Sequence, residues 1–138
     1  MRFVLDCSVT MSWCFSDEVD DYGDAVLDLI AESEAVVPVI WPLEVSNVLL
    51  VAERRGRISE AQLVRLVELL GALPVSVDLT TSERAMGAIL ALARGHGLSA
   101  YDAAYLELAM REGVPIASRD EQLTTAAARC GVPLLSVS

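Results

Sequence analysis

The sequence contains no lysine: all ten of its basic side chains are arginine. That absence excludes a P-loop nucleotide site, Schiff-base chemistry and any phosphoaspartate centre that depends on a lysine. Histidine is nearly absent too. The one copy, His96, sits between Gly95 and Gly97, so no histidine triad or cluster can be built and a solvated turn residue is expected. The three cysteines, Cys7, Cys14 and Cys130, are odd in number, widely spaced and free of any C-x-x-C pair. They argue against a disulfide framework and a zinc site, and are expected to be reduced core residues. Long apolar runs are missing as well: Ala35–Leu43 and Ala85–Ala93 reach nine residues each, where a membrane-spanning helix needs about 20. Asp6 interrupts the apolar amino terminus, which does not suit a secretory leader, and a cytoplasmic chain is expected.

A length of 138 residues suits one compact domain, taken here as 1–138. Its 54% hydrophobic content is more than one small core easily hides, which points to a face for self-association or a partner. Charge is divided unevenly: residues 1–53 carry one arginine and eleven acids, residues 54–138 nine of each. The net charge of −10 therefore belongs to the first part of the chain. Phosphate neutralisation alone would not select such a protein for nucleic acid, so any nucleic acid would have to be met by the later arginines or through metal ions.

Valine-rich apolar runs bounded by turn residues predict five short buried strands, at Arg2–Leu5, Ala35–Val39, Val75–Val77, Val114–Ser118 and Val132–Val137. Helices are predicted over 8–14, 22–33, 42–55, 59–72, 81–94, 99–112 and 120–129. Strands that are apolar throughout, alternating with helices, imply a parallel sheet covered on both faces. The expected fold is a three-layer α/β/α sandwich with a central five-stranded parallel sheet. Pro42, Ser59 and Ser99 mark helix starts, and Gly56, Gly71 and Gly113 mark helix ends.

Four acids stand where such a sheet forms its ligand crevice, outside the carboxyl ends of the strands. Asp6 ends the first strand, Glu44 opens the helix after the second, Asp102 opens the helix before the fourth, and Asp120 follows the fourth. A single acid at a helix start is commonly a cap or a partner for the helix dipole. Helical phase argues for more. Glu107 and Arg111 share one polar face, whereas Asp102 lies about 140–180° away beside Tyr105, Leu106 and Ala109. Glu44 likewise shares its face with Asn47, Val48 and Val51, opposite Glu53. Buried carboxylates need compensation, and no arginine lies between Arg2 and Arg54. A divalent metal is the natural counter-ion. An all-oxygen donor set suits Mg²⁺ or Mn²⁺ and phosphoryl-transfer chemistry, which makes a metal-dependent phosphodiesterase the reading of the residues themselves.

In order along the chain, these residues resemble the PIN domain, and in particular VapC toxins of bacterial toxin–antitoxin pairs. The likeness is carried by Leu5-Asp6-Cys7-Ser8-Val9, by Pro42-Leu43-Glu44-Val45-Ser46-Asn47, by Leu98-Ser99-Ala100-Tyr101-Asp102-Ala103-Ala104-Tyr105 and by Ala117-Ser118-Arg119-Asp120. It implies a PIN-like sandwich, a homodimer, a VapB-like antitoxin partner and Mg²⁺- or Mn²⁺-dependent hydrolysis of RNA, in which water attacks phosphorus and the 3′ oxygen is the leaving group. It assigns catalysis and metal binding to Asp6, Glu44, Asp102 and Asp120. Ser8, Asn47 and Ser118 are supporting candidates, the serines as holders of the carboxylates. Arg54, Arg55, Arg57, Arg94 and Arg119 are candidate phosphate contacts. A phosphatase-type α/β domain would want an acid at the place of Ser8 and a late lysine. A catalytically silent PIN-like dimer that only binds is the rival from another class.

Overall fold

The structure, a computed structural model, describes residues 1–137. Four parallel strands form the sheet in the order β3-β2-β1-β4. They are β1 (Arg2–Leu5), β2 (Glu34–Pro38), β3 (Val75–Asp78) and β4 (Ile116–Ala117). In register, Val4 pairs with Val36 on one side and Ile116 on the other, and Val36 pairs with Ser76. Phe3, Val4, Leu5, Ala35, Val37, Ile116 and Ala117 are all buried, as strands covered on both faces require.

The fifth expected strand is reduced to one parallel bridge, Ile116 with Leu134. Ile116 N–H donates to the Pro133 carbonyl at 3.0 Å and Leu135 N–H to the Ile116 carbonyl at 2.7 Å. The rung before these would need an N–H from residue 133. Proline has none, so the ladder cannot extend to that side of the bridge.

Helices α1 (Cys7–Cys14), α2 (Asp21–Ile30), α3 (Trp41–Arg54) and α4 (Glu60–Gly71) fill the first part of the chain. A short 3₁₀ turn at Ser16–Glu18, unforeseen in the sequence, separates α1 from α2. Helix α4 starts on a full capping box, with Ser59 and Gln62 satisfying each other's backbone N–H groups. Gly71 lies inside this helix, not beyond its end. The segment predicted over 81–94 is one helical rod in three parts: α5 (Thr81–Arg84), a π turn (Ala85–Ile89) and α6 (Leu90–His96).

Gly97, at φ 64°, stops that rod and Ser99 caps α7 (Ala100–Glu112), its Oγ accepting from Asp102 N–H at 3.0 Å. Ala103 through Ala109 are all buried, so α7 is the central helix of the core. Glu107 belongs to that run. The sequence placed it on a polar face, but only 5% of it is exposed. It is paired within α7 to Arg111 (3.0 Å) and across to Arg84 (3.4 Å), while Arg111 also reaches Asp78 (2.7 Å). Helix α8 (Glu121–Arg129) closes the described fold. No helix among the described residues is long and apolar enough to cross a membrane. Several large apolar side chains stay outside the core, among them Leu43, Leu79, Met86 and Tyr101, and no residue of α4 is fully buried.

Candidate active site

Asp6 is delivered by the sheet itself. Its N–H donates to the Ala117 carbonyl at 3.0 Å, one residue beyond β1, so its position is set by the β1–β4 ladder. Its side chain is 4% exposed. Two hydroxyls donate to the same oxygen, Ser8 Oγ to Oδ2 at 2.7 Å and Ser118 Oγ to Oδ2 at 2.8 Å. Ser8 is in turn fixed from the loop after β4, where Arg119 N–H donates to its Oγ at 2.9 Å, and Ser118 is fixed within that loop by Asp120 N–H at 3.0 Å. Through Asp6, Ser8 and Ser118 tie the segment after β1 to the loop after β4.

Asp120 caps α8, with Oδ1 accepting from Leu123 N–H at 3.0 Å. Asp102, half-buried in the first turn of α7, faces Asp6 and Asp120, whose charges both act on it. Glu44 stands in the first turn of α3, which is tied to α1 by the Trp41 indole N–H donating to Thr10 Oγ1 at 3.1 Å. Its Oε1 accepts from the Tyr105 hydroxyl at 2.7 Å. Asn47, by contrast, is exposed on the outer side of α3 and makes no side-chain hydrogen bond among the described residues. Val45, Leu49 and Ala52 form the buried stripe there, so the phase read from Val48 and Val51 is one position off.

Burial raises the Asp6 carboxyl above its ordinary value against the opposing hydroxyls of Ser8 and Ser118, and the charge of Asp120 adds to the rise. Burial raises Glu44 as well, opposed by Tyr105 and reinforced by the charges of Asp6 and Asp102. Asp102 is pushed up to about 6, by burial first and then by Asp120 and Asp6. Burial and the neighbouring Glu44 hold Tyr105 far up, so its phenol stays a donor. None of the four acids has an ion-pair partner among the described residues.

Four mutually repelling carboxylates without a cation form a cluster whose missing ingredient is positive charge. The donor set is oxygen throughout, which fits a hard divalent ion. As placed, no three His, Cys, Asp or Glu side chains among the described residues gather tightly enough to hold an ion.

The five candidate arginines divide. Arg57 is bound to Asp17 and Glu18 and stacks over Phe15, and Arg119 is bound to Asp20 at 2.7 Å. Arg54, Arg55 and Arg94 are exposed and make no ion pair among the described residues. Sequence reasoning missed the Tyr105–Glu44 bond. The signal was present, since a tyrosine hydroxyl on an inward helix face must find a partner. His96 ends α6 half-buried, with Nε2 3.3 Å from Cys130 Sγ, where a solvated turn residue was expected.

The family model of the PIN domain matches residues 3–128. The chain belongs to the PIN domain family. Solved structures of similar fold include PAE2754 from Pyrobaculum aerophilum, at TM-score 0.67 and 22% identity over 91% of this chain and 79% of the other. FitAcB from Neisseria gonorrhoeae aligns at TM-score 0.67 and 20% identity, over 99% and 97%. VapBC2 from Rickettsia felis, solved bound to a DNA fragment from its promoter, aligns at TM-score 0.66 and 11% identity over the full length of both. At such identities the likeness is one of fold. No curated protein matches the sequence. In this PIN domain the four acids lie on segments leaving β1, β2 and β4 and at the start of α7.

Proposed function

We propose that this PIN domain is a divalent-metal-dependent endoribonuclease, the toxin of a VapBC-type pair, with Asp6, Glu44, Asp102 and Asp120 as its centre. The observation that carries the reading is the buried Asp6 carboxylate, held by two hydroxyls, repelled by its neighbours and matched by no cation. The four acids would hold Mg²⁺ or Mn²⁺, which supplies positive charge against the phosphodiester and acidifies water at the site. Ser8 and Ser118 orient Asp6 through its Oδ2, and Tyr105 orients Glu44. Of the five candidate arginines, Arg54, Arg55 and Arg94 are exposed and outside any ion pair among the described residues, which leaves them open to RNA phosphates.

Apolar side chains left outside the core support a homodimer and an antitoxin of the VapB kind, and the fold likeness to VapBC2 agrees with that pairing. The acidic α2 adds less than its composition promised. It buries Gly23, Val26 and Ile30 and turns Asp21, Asp24 and Asp28 to solvent, as any amphipathic surface helix does.

One observation favours the rival reading of a silent binding module: the acids do not close around a common point as placed. Incubating the pure protein with single-stranded RNA, with Mn²⁺ and with chelator, decides between them. Cleavage that needs the ion and disappears in Asp6→Asn supports the nuclease; no cleavage of any RNA tested, with normal dimer formation, supports the module.

A further inference from the structure

We propose that Tyr101 is the residue on which an unpaired base of the RNA stacks, beside the acidic centre. The inference rests on the reading of this protein as an endoribonuclease. Of the two tryptophans, three tyrosines and two phenylalanines, Tyr101 alone is exposed among the described residues, with 64% of it open to solvent. The Tyr22 hydroxyl donates to the Leu135 carbonyl and the Tyr105 hydroxyl to Glu44, whereas that of Tyr101 makes no hydrogen bond among the described residues. Tyr101 is therefore the one tyrosine whose ring and hydroxyl the fold leaves to solvent.

Helical phase places that ring at the centre. Tyr101 and Tyr105 are four residues apart on α7, so they share a face, with Cβ atoms about 5–6 Å apart. From that face Tyr105 reaches Glu44 Oε1 at 2.7 Å, and helical side chains lean toward the amino terminus. Tyr101 thus stands one turn further out on the side of α7 that looks to Glu44. It also directly precedes Asp102, as Leu43, 73% exposed, directly precedes Glu44. Each of these two acids has an exposed apolar side chain as its neighbour in the chain.

Charge gives the ring its purpose. The net charge is −10, and at the centre the acids act on one another. Attraction of phosphates by Lys and Arg, the usual source of affinity for nucleic acid, is opposed there. Stacking on an aromatic face needs no charge and accepts any base, because every base has a π-face. A paired base is already stacked in its helix, so a single exposed ring favours RNA that is unpaired at that position.

The test is binding of a fluorescein-labelled single-stranded RNA to the full chain, followed by anisotropy in chelator, with KM for Mn²⁺-dependent cleavage as a second measure. Tyr101→Ala is expected to weaken binding about 10-fold, within the range for one stacked base. Tyr101→Trp should bind at least as tightly as the wild type. Tyr101→Leu, which keeps apolar bulk without an aromatic face, should bind as weakly as Tyr101→Ala. Among RNAs with one base removed at successive positions, one should bind the wild type about 10-fold more weakly than intact RNA does, and Tyr101→Ala should lose nothing further on it. Wild-type affinity in Tyr101→Ala or Tyr101→Leu overturns the inference and, where cleavage persists, leaves the nuclease standing. Dissociation of a dimer by Tyr101→Ala, seen by sedimentation, with the effect of base removal unchanged, assigns the ring to a self-association face and also overturns it. A wild type that neither binds nor cuts RNA overturns both readings.

Discussion

Arg111 grips Asp78 with both terminal nitrogens, Nη1 to Oδ1 at 3.2 Å and Nη2 to Oδ2 at 2.7 Å, and turns its Nε to Glu107 at 3.0 Å. Removing it leaves Asp78, whose side chain is 11% exposed, without an ion pair and leaves Glu107, 7% exposed, with Arg84 alone. Arg111→Ala is therefore expected to lower stability by about 3 kcal/mol, the lower end for a broken buried pair because Arg111 itself keeps some contact with water. Urea unfolding at pH 7 measures it. Arg111 also holds the Asp78 carboxyl down at about 2. A carboxyl depressed in the fold contributes stability above its unfolded value of about 3.9 and loses it as pH falls toward 2. The wild-type protein should lose stability across that interval, and Arg111→Ala should lose less.

Asp102 titrates with the opposite sign. Burial and its acidic neighbours raise it to about 6, against about 3.9 unfolded, so in chelator the folded state binds the extra proton between those values. Stability of the metal-free protein is expected to fall as pH rises from about 4 to 6. Asp102→Asn should flatten that slope. Mn²⁺ should weaken below pH 6, since a ligand must shed its proton to bind. Calorimetric melting with and without the ion measures both; a wild-type slope in Asp102→Asn would contradict the assignment.

Asp6→Asn keeps an oxygen for Ser8 and Ser118 and removes a buried charge. In chelator its melting temperature is expected to equal or exceed that of the wild type. Cleavage should drop by about 10³ or more, the equivalent of the several kcal/mol a metal supplies to the transition state. Stabilisation by Mn²⁺, expected in the wild type by mass action, should vanish.

Asp20 occupies Arg119 beside the acidic centre while its other oxygen caps α2 through Gly23 N–H at 2.7 Å. Asp20→Asn preserves the cap and frees the arginine. If Arg119 then meets an RNA phosphate, binding measured in chelator should tighten by a few-fold and its log–log salt dependence should steepen by about 0.7. An unchanged slope would remove Arg119 from the RNA path.

The elements legible in the sequence are those whose signals are local. Ser59 and Ser99 announced α4 and α7, and the valine runs announced β1 to β3. The places of Asp6 and Asp120 at strand ends were legible because that pattern is one-dimensional, whereas the helical phases read for Glu44 and Asp102 did not hold: Val48 and Val51 lie off the buried stripe of α3, and Glu107 is buried. What escaped depends on contacts between distant segments. Arg84, Asp78 and Glu107 meet only after β3, α5 and α7 pack, and Tyr105 meets Glu44 across 61 positions. Pro133 did contain the reason the fifth strand cannot pair before its bridge, but its effect depends on which rung falls on it.

Asp120 answers to two demands at once, since the carboxylate offered to the centre also accepts the first-turn N–H of α8. Glu44 accepts no backbone N–H, its carboxylate being held by Tyr105. A lineage that abandoned cleavage would be free to replace Glu44, yet losing the cap would still cost it about 1 kcal/mol. Inactive descendants should therefore drift first at position 44 and retain Asp, Asn or Ser at 120, so that persistence of an acid at 120 alone is a record of helix capping rather than of catalysis.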